Sequence, residues 1–374
     1  MKVSVVVPTF NEGSNPALVA EALHRALEPM EFEVVFVDDS SDPASVAELE
    51  RLSQAHPWVR FEHRVNERGL GTAVVRGFEL AQGDLIAVMD ADMQHPPEVL
   101  RTMIPEVIAG ADIVIPSRFV PGGDDGGLSS FRKLVSGVAR VIGQAMLHRV
   151  RTVTDPTSGF FLFRRSVVEG VKLQPIGWKI LMEVLVRGNY ESIREIPYRF
   201  QPRVAGSSNM SLKEQWNYLR HVARLVGASP EDRRKYVFAA VGISGVLVNM
   251  VIYYTLVRLG LALWAAAALS GAVAMLNNFL LNDNVTWRDS RNIPAFSRLF
   301  RYVATSLAGI GINVAVLAVI DDKLGSHFLI ANLIGIGAAM VWNFYANNFW
   351  TWRARRKAVV ISVAAARAES VERL

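Results

Sequence analysis

Asp84-Leu85-Ile86-Ala87-Val88-Met89, followed at once by Asp90-Ala91-Asp92-Met93-Gln94, decides the fold of this chain. The aliphatic run between Gly83 and the first carboxylates reads as a buried strand. Directly after it come two carboxylates and an amide oxygen within five residues. Inside a strand, residues two apart share a face; past its end the chain can turn and let all three oxygens converge. Such a donor set suits a hard divalent cation, which prefers oxygen ligands.

Working outward, the chain opens with Val3-Ser4-Val5-Val6-Val7-Pro8-Thr9-Phe10-Asn11-Glu12, a β-branched strand halted by proline and a polar loop. A helical pattern follows over residues 16–27. A second strand, Glu33-Val34-Val35-Phe36-Val37, ends in Asp38-Asp39-Ser40-Ser41. Next come a helix over residues 44–55, a strand over 59–63, the turn Arg68-Gly69-Leu70-Gly71-Thr72, and a helix leading to Gly83. Strands alternating with helices of this length predict parallel pairing through right-handed crossovers, an α/β layer fold. Ligands of open α/β sheets sit at the carboxyl ends of the strands, so the polar groups after strands one, two and four are expected to converge.

Two familiar alternatives are excluded. Pro8-Thr9-Phe10-Asn11-Glu12 stands where a dinucleotide-binding domain needs G-x-G-x-x-G, and Gly69-Leu70-Gly71 reads as a tight turn. The chain has no Walker A sequence, which removes the P-loop kinases.

The ordered motifs Pro8-Thr9-Phe10-Asn11-Glu12, Val37-Asp38-Asp39-Ser40, Gly69-Leu70-Gly71, Asp90-Ala91-Asp92-Met93-Gln94-His95-Pro96-Pro97-Glu98, Ser117-Arg118-Phe119, Asp155-Pro156-Thr157-Ser158-Gly159-Phe160-Phe161 and Gly177-Trp178-Lys179-Ile180-Leu181-Met182-Glu183 carry a resemblance. Together, and over about the first 225 residues, they are similar to the polyprenyl-phosphate glycosyltransferases of the inverting family 2 type, the group of the dolichyl-phosphate mannose synthases. The resemblance implies a Rossmann-like, GT-A type nucleotide-sugar domain over residues 1–230. It implies that Pro8, Phe10, Glu12, Val37 and Asp39 hold the nucleoside, and that Asp90, Ala91, Asp92 and Gln94 hold the diphosphate. Asp90, Asp92 and Gln94 would carry its Mg²⁺ or Mn²⁺. Arg118, with Arg132 and Ser136, would bind the lipid phosphate, and Arg203 and Arg118 the donor phosphates; Asp92, Asp90 and Arg118 would be the residues of the reaction itself. Three of these have a plainer alternative: Glu12 as a helix-start residue, Arg132 as a snorkelling side chain, Ser136 as packing.

One position departs from the pattern. Relatives commonly carry a lysine after the glycine in a segment like Arg203-Val204-Ala205-Gly206-Ser207-Ser208-Asn209, and here Asn209 supplies hydrogen bonds without charge. Lys213 stands nearby in sequence. The reaction implied is transfer of a hexose, mannose from GDP-mannose first, to a polyprenyl (dolichyl) phosphate with inversion and no protein nucleophile. UDP-glucose is the alternative donor. A different class of protein, a lipid-sugar translocator or scaffold with a degenerate transferase domain, is the rival function.

The last third of the 374 residues changes solvent. Uncharged stretches over residues 236–257, 259–282, 302–320 and 324–352 are each long enough to cross a hydrocarbon core as a helix. A hydrophobic fraction of 51% and a mean hydropathy of +0.23 fit a soluble domain fused to a membrane domain, residues 231–353, with a tail over 354–374. Basic residues flank the spans unevenly. Arg233, Arg234, Lys235, Arg288, Arg291, Arg298, Arg301, Arg353, Arg355, Arg356 and Lys357 make eleven on one side, against Arg258 and Lys323 on the other. This places the N-terminal domain and the C-terminus in the cytoplasm, with four spans. The net charge of +5 is then accounted for by anionic headgroups, with no need of nucleic acid.

The apolar region is also duplicated. Gly245-Val246-Leu247-Val248-Asn249 returns as Gly309-Ile310-Gly311-Ile312-Asn313, and the stretch from Asn278-Phe279 to Thr286-Trp287-Arg288 returns from Asn343-Phe344 to Thr351-Trp352-Arg353. Two helical hairpins of one design are expected, resembling the GtrA-like four-helix domains, with the asparagines as hydrogen-bonding glue between helices. Residues 130–147 and 211–226 read as amphipathic helices with basic faces, expected at the membrane interface. Met1 leads directly into the first strand, so no signal peptide is expected, and the absence of cysteine excludes disulfides and thiolate sites.

Overall fold

A computed structural model describes residues 1–127, 130–201, 212–291, 293–324, 328–352 and 359–360. The chain divides into two compact units, Met1–Ser229 with Lys357–Leu374, and Pro230–Arg356. The first unit runs β1 (Val3–Thr9), α1 (Asn15–Leu27), β2 (Phe32–Asp38), α2 (Pro43–Ala55), β3 (Val59–His63), α3 (Leu70–Leu80), β4 (Leu85–Val88), α4 (Leu100–Ile108), β5 (Ile113–Ser117), α5 (Ser130–Met146), β6 (Phe161–Arg164), α6 (Ile180–Arg187), β7 (Ser192–Pro197) and α7 (Leu212–Ala228), with β8 (Val359–Val360) on the sheet edge. The strand order is β3-β2-β1-β4-β6-β5-β7-β8.

Period-2 alternation builds the two layers around this sheet. Val3, Val5 and Val7 of β1, Leu85 and Ala87 of β4, and Leu162 of β6 enter one core, with Leu23 and Leu27 of α1 and Leu100 and Met103 of α4. Val6, Ile86, Val88, Phe161 and Phe163 face the other, against Val74 and Phe78 of α3 and Leu181 and Leu185 of α6. Burial on both faces is why these strands are aliphatic throughout rather than alternating with polar residues.

The sheet is mixed, where alternation alone predicted parallel strands. β1 to β4 pair in parallel, but β6 runs antiparallel to both β4 and β5. The reversal follows from the long excursion between β5 and β6, which returns to the site end of the sheet before β6 begins. Gly69-Leu70-Gly71 also differs from expectation: Gly69 caps α3 and Leu70 already belongs to it. The two amphipathic helices α5 and α7 join the second core through Ala139, Ile142, Met146, Tyr218, Val222 and Leu225. Each leaves apolar side chains outside, Leu134, Val138 and Val141 on α5, Trp216 and Leu219 on α7.

The second unit holds α8 (Pro230–Arg258), α9 (Leu263–Leu281), α10 (Ala295–Leu324) and α11 (Phe328–Ala346); α9 and α11 each run on into a wider, π-type turn, Asn282–Thr286 and Asn347–Thr351. Among the described residues, three stretches are long and apolar enough to cross a membrane, Pro230–Arg258, Leu263–Thr286 and Ala295–Ile320.

The duplication becomes a pair of matching contacts. Trp287 and Trp352 are fully buried and stack with ring centroids 4.5 Å apart and planes 1° from parallel. Each indole donates across to the other repeat, Trp287 to Asn348 Oδ1 at 3.1 Å and Trp352 to Asp283 Oδ1 at 2.9 Å. Thr286 donates to Asn282 and Thr351 to Asn347 in the two turns, at 2.7 and 2.8 Å.

The expected asparagine glue divides into two kinds. Asn347 bonds between helices as expected, accepting from Thr305, and Asn282 accepts within its own turn from Thr286, whereas the buried Oδ1 atoms of Asn249, Asn278, Asn313 and Asn343 have no hydrogen-bond partner among the described residues. Asn278 and Asn343 instead fill notches at Gly245 and Gly309, where an added Cβ would come within 2.3 and 2.6 Å of the amide. Three of the flanking arginines pair with carboxylates within the unit, Arg298 and Arg291 with Asp283 (2.7 and 3.5 Å) and Arg234 with Asp289 (2.6 Å).

Candidate active site

The carboxyl ends of β1, β2 and β4 lie side by side, because Thr9 pairs with Asp38 and Val6 with Val88 in register. The loop after β1 is stitched to the loop after β2 by Asn11, a non-glycine residue at φ 55. Its backbone N–H donates to Ser40 Oγ (2.7 Å), and its Oδ1 accepts from Ser41 N and Asp42 N (3.0 and 3.1 Å). Phe10 is half exposed above this loop. Pro8 and Val37 are register partners buried in the sheet. Glu12 accepts from Asn15 Nδ2 at 3.1 Å at the start of α1.

Asp38 and Asp39 are both buried and both engaged. Asp38 accepts from Thr9 and Ser40 and lies 2.8 Å from His63 Nδ1. Asp39 receives a two-pronged contact from Arg64, Nε to Oδ1 and Nη2 to Oδ2, both 2.7 Å, and Gly69 N donates to Oδ2 at 2.8 Å.

At the end of β4 the backbone turns sharply, with Met93 at φ 61 between Asp92 and Gln94. Positive φ at a bulky side chain costs energy and persists only where the surroundings enforce it. Here Asp92 Oδ1 accepts from Gln94 N (3.1 Å), while Gln94 exchanges bonds with Gln201, Nε2 to O at 3.3 Å and O from N at 3.0 Å. The amide oxygen of Gln94 is left as the atom a cation could take. Asp90 is partly exposed, with His95 Nε2 3.4 Å from its Oδ2. Buried His95 is boxed by the rings of Phe160, Tyr198 and Phe200. Gly159 lies so close that a Cβ there would fall 2.8 Å from Asp90 Oδ2, so any side chain would displace the carboxylate.

A hard divalent cation fits this donor set. The groups are oxygens only, and one aspartate stands in a cradle that only glycine permits. Among the described residues no cluster of three or more His, Cys, Asp or Glu could hold a metal alone. A cation bound through one or two carboxylates, completed by substrate phosphates and water, is the ordinary arrangement for magnesium.

Arg118 follows β5 directly. Its Nε and Nη2 donate to Asp155 Oδ2 and Oδ1 at 2.8 and 3.1 Å, and its guanidinium lies 5.3 and 5.2 Å from the centroids of Phe119 and Phe200. Burial works against the charge of Arg118, but the Asp155 carboxylate outweighs it and holds the pKa above its ordinary value. Asp155 is set in turn by Glu195, which accepts from Thr154 N, Thr154 Oγ1 and Asp155 N. Burial raises the pKa of Glu195. Ser117 fixes the other side, bonding Thr154 and accepting from Phe119 N. Lys179, at the start of α6, donates to the Thr157 carbonyl at 3.1 Å. Burial depresses its pKa against the pull of Asp155 and Asp90.

Ser136 is half-buried on α5. The side chain of Arg132 on that helix, and Arg203 and Asn209 entirely, lie outside the described residues. Residues 155–160 therefore touch both ends of the site: Asp155 holds Arg118, Thr157 receives Lys179, Gly159 abuts Asp90 and Phe160 packs on His95. Arg64, His95, Asp155 and Lys179 were absent from the residues expected to act. Three of them stand inside quoted motifs: His95 shares the motif of Asp90, while the distance of Asp155 and Lys179 from Arg118 and Asp90 in sequence conceals their proximity. Arg64 had no motif signal.

Comparison with known proteins now bears on this geometry. Glycosyl transferase family 2 matches residues 4–171, and the GtrA/DPMS transmembrane domain matches residues 237–352. A dolichol-phosphate mannosyltransferase of Pyrococcus furiosus is 41% identical over 352 residues, covering 94% of this chain and 99% of that one. A dolichol-phosphate mannosyltransferase of Saccharomyces cerevisiae is 33% identical over 59% of this chain and 86% of its own length. A polyprenol monophosphomannose synthase of Mycolicibacterium smegmatis is 34% identical over 55% of this chain and 80% of its own.

Proposed function

We propose, for a chain that belongs to the family 2 glycosyltransferases and carries a GtrA/DPMS-type membrane domain, that it transfers mannose from GDP-mannose to a polyprenyl (dolichyl) phosphate with inversion at the anomeric carbon. The observation that carries this reading is the 155–160 segment. It joins the Asp90 end, suited to a metal-bound diphosphate, to the Arg118 end, suited to a second anion, within one loop. A transferase acting between a nucleoside diphosphate sugar and a phosphate needs both anions brought to one anomeric carbon.

The chemistry is a single displacement. An oxygen of the lipid phosphate forms the new bond to the anomeric carbon, and the bond from that carbon to the diphosphate oxygen breaks, its electron pair leaving with the nucleoside diphosphate. The acceptor is already an anion near neutral pH, so no general base is required. Asp90 and Asp92, with the Gln94 amide oxygen, would hold Mg²⁺ or Mn²⁺, which when bound supplies charge stabilisation at the departing diphosphate. Arg118 orients the acceptor phosphate, with Arg132 and Ser136 from α5. Asp155 and Glu195 keep the Arg118 guanidinium in place, and His95 orients Asp90. Phe10, Glu12 and Asp39, with the backbone at Pro8 and Val37, border the nucleoside, while Ala91, Arg203 and Asn209 border the donor phosphates.

In the membrane unit, α11 would be a fourth span beside the three long apolar stretches. The bias of basic residues favours a cytoplasmic transferase unit and C-terminus. The full-length protein in detergent with Mn²⁺, a polyprenyl phosphate and a panel of labelled nucleotide sugars tests the reading. Transfer from GDP-mannose, giving a β-linked lipid phosphate by NMR, is expected. Transfer from UDP-glucose alone, or to no polyprenyl phosphate at all, overturns it.

A further inference from the structure

Helix α5 carries a cation that the reaction as described does not use. Arg140 of α5 lies with its guanidinium carbon 4.3 Å from the centroid of the Phe119 ring. The same ring lies 5.3 Å from the guanidinium carbon of Arg118. Phe119 is 40% exposed, so the ring borders open space. The two guanidinium groups can be no further apart than these two distances laid end to end. One monophosphate can bridge that span through charge-assisted bonds of about 2.8 Å on either side.

Charge separates the roles of the basic residues here. Arg118 is matched by Asp155 and Lys133 by Asp125, at 2.8 and 2.9 Å. Among the described residues no carboxylate lies within ion-pair distance of Arg140. The Arg118–Asp155 pair is neutral as a unit, and a lipid monophosphate carries nearly two negative charges at neutral pH. Bringing that dianion to a neutral, largely buried pair is unfavourable unless further cations stand free, beyond the proposed Arg132. Arg140 is such a cation, and its helix position agrees. At 3.6 residues per turn, Ser136 and Arg140, four residues apart, stand roughly 40° from each other around α5. They form one stripe beside the core-facing Ala139, Ile142 and Met146 and away from the exposed Leu134, Val138 and Val141.

We infer that Arg140 binds the acceptor phosphate opposite Arg118, with Phe119 as the rigid spacer between the two guanidinium groups. This rests on the reading of the acceptor as a polyprenyl phosphate. The phosphate surrenders one negative charge when it becomes a diester, so Arg140 acts more on acceptor binding than on the rate of transfer.

The test uses the full chain in detergent, with polyprenyl phosphate varied at saturating GDP-mannose and then the reverse. In Arg140→Gln the KM for the lipid should rise at least about tenfold while the KM for GDP-mannose holds within twofold. Arg140→Lys, which keeps the charge, should recover most of the lipid KM. A second readout depends on charge rather than packing. Wild-type affinity for the lipid should weaken as pH falls through about 6, where the phosphate dianion protonates, and this dependence should flatten in Arg140→Gln. A lipid KM within twofold of wild type, an equal rise in both KM values, or an unchanged pH dependence overturns the inference. Failure of the wild-type protein to use any polyprenyl phosphate instead overturns the functional reading beneath it.

Discussion

Arg64–Asp39 and Arg118–Asp155 are two buried arginine–aspartate forks at the carboxyl edge of one sheet, one at each end of the site, and they are occupied differently. In the first, the protein uses the guanidinium throughout. Nε and Nη2 go to Asp39, Nη2 also to the Gly69 carbonyl, and Nη1 to Thr72 and Glu67. In the second, Nε and Nη2 go to Asp155, and among the described residues no other oxygen meets the group. A guanidinium has five donors in a fixed fork, so the first pair is a closed knot and the second a cation presented with donors in reserve. The same pair of residue types holds a loop in one place and, in the other, leaves donors for the anion site proposed above.

The largest effects come from breaking either fork. Arg64→Ala and Asp155→Ala each leave a buried charge alone, which should cost the first unit about 3–5 kcal/mol, read by native-state hydrogen exchange of the β1 and β4 amides. The comparison sharpens in the paired replacements. Arg118→Leu with Asp155→Leu should regain most of that stability yet abolish transfer, whereas Arg64→Leu with Asp39→Leu should spare the lipid KM. If the two doubles behave alike, the distinction between knot and presented cation fails.

Asp92→Ala comes next. It leaves both forks intact but removes a carboxylate at the end of β4, and should lower kcat/KM at least about 10²-fold, roughly 3 kcal/mol, with the protein folded and membrane-inserted. Near-normal turnover would sink the metal assignment.

A smaller effect belongs to a third buried carboxylate. Burial alone would raise the pKa of Glu183, but His221, the Gln174 N–H and Arg187 outweigh it and hold the pKa below 4.5. A depressed folded pKa means stability that is present above the unfolded value and lost as pH falls through the folded one. Protection of the α7 amides should therefore be flat above about pH 5 and fall below it, and Glu183→Gln should remove that slope. Protection independent of pH in the wild type would show that the His221–Glu183 contact does not anchor α7.

The mildest change is Asn209→Lys, which restores a charge that relatives carry. It should lower the KM for the nucleotide sugar about threefold at constant kcat and leave the lipid KM alone. A switch of preferred sugar would mean that this segment reads the hexose rather than the phosphates.

Much of this molecule was legible in its residues. The aliphatic strands, the polar turns that end them, the carboxylates after β4 and the duplicated apolar hairpins all follow from local pattern, because period, charge and β-branching act within a few residues of chain. Asp90 and Asp92 were legible for the same reason, sitting together just past a strand end, while Arg118 was legible only through the resemblance that its motif carries. What only the tertiary structure decided was partnership. That Asp155 belongs to Arg118 and Arg64 to Asp39 depends on which strand lies next to which, whereas His95 reaches Asp90 and Arg140 reaches Phe119 through the way the loop after β4 and helix α5 fold back. The reversal of β6 belongs to the same sheet order, and the meeting of Trp287 with Trp352 to the packing of the two helical hairpins. A hydrogen bond or an ion pair forms between atoms about 3 Å apart whatever their separation along the chain, and the sheet order that brings those atoms together is set by packing over the whole core.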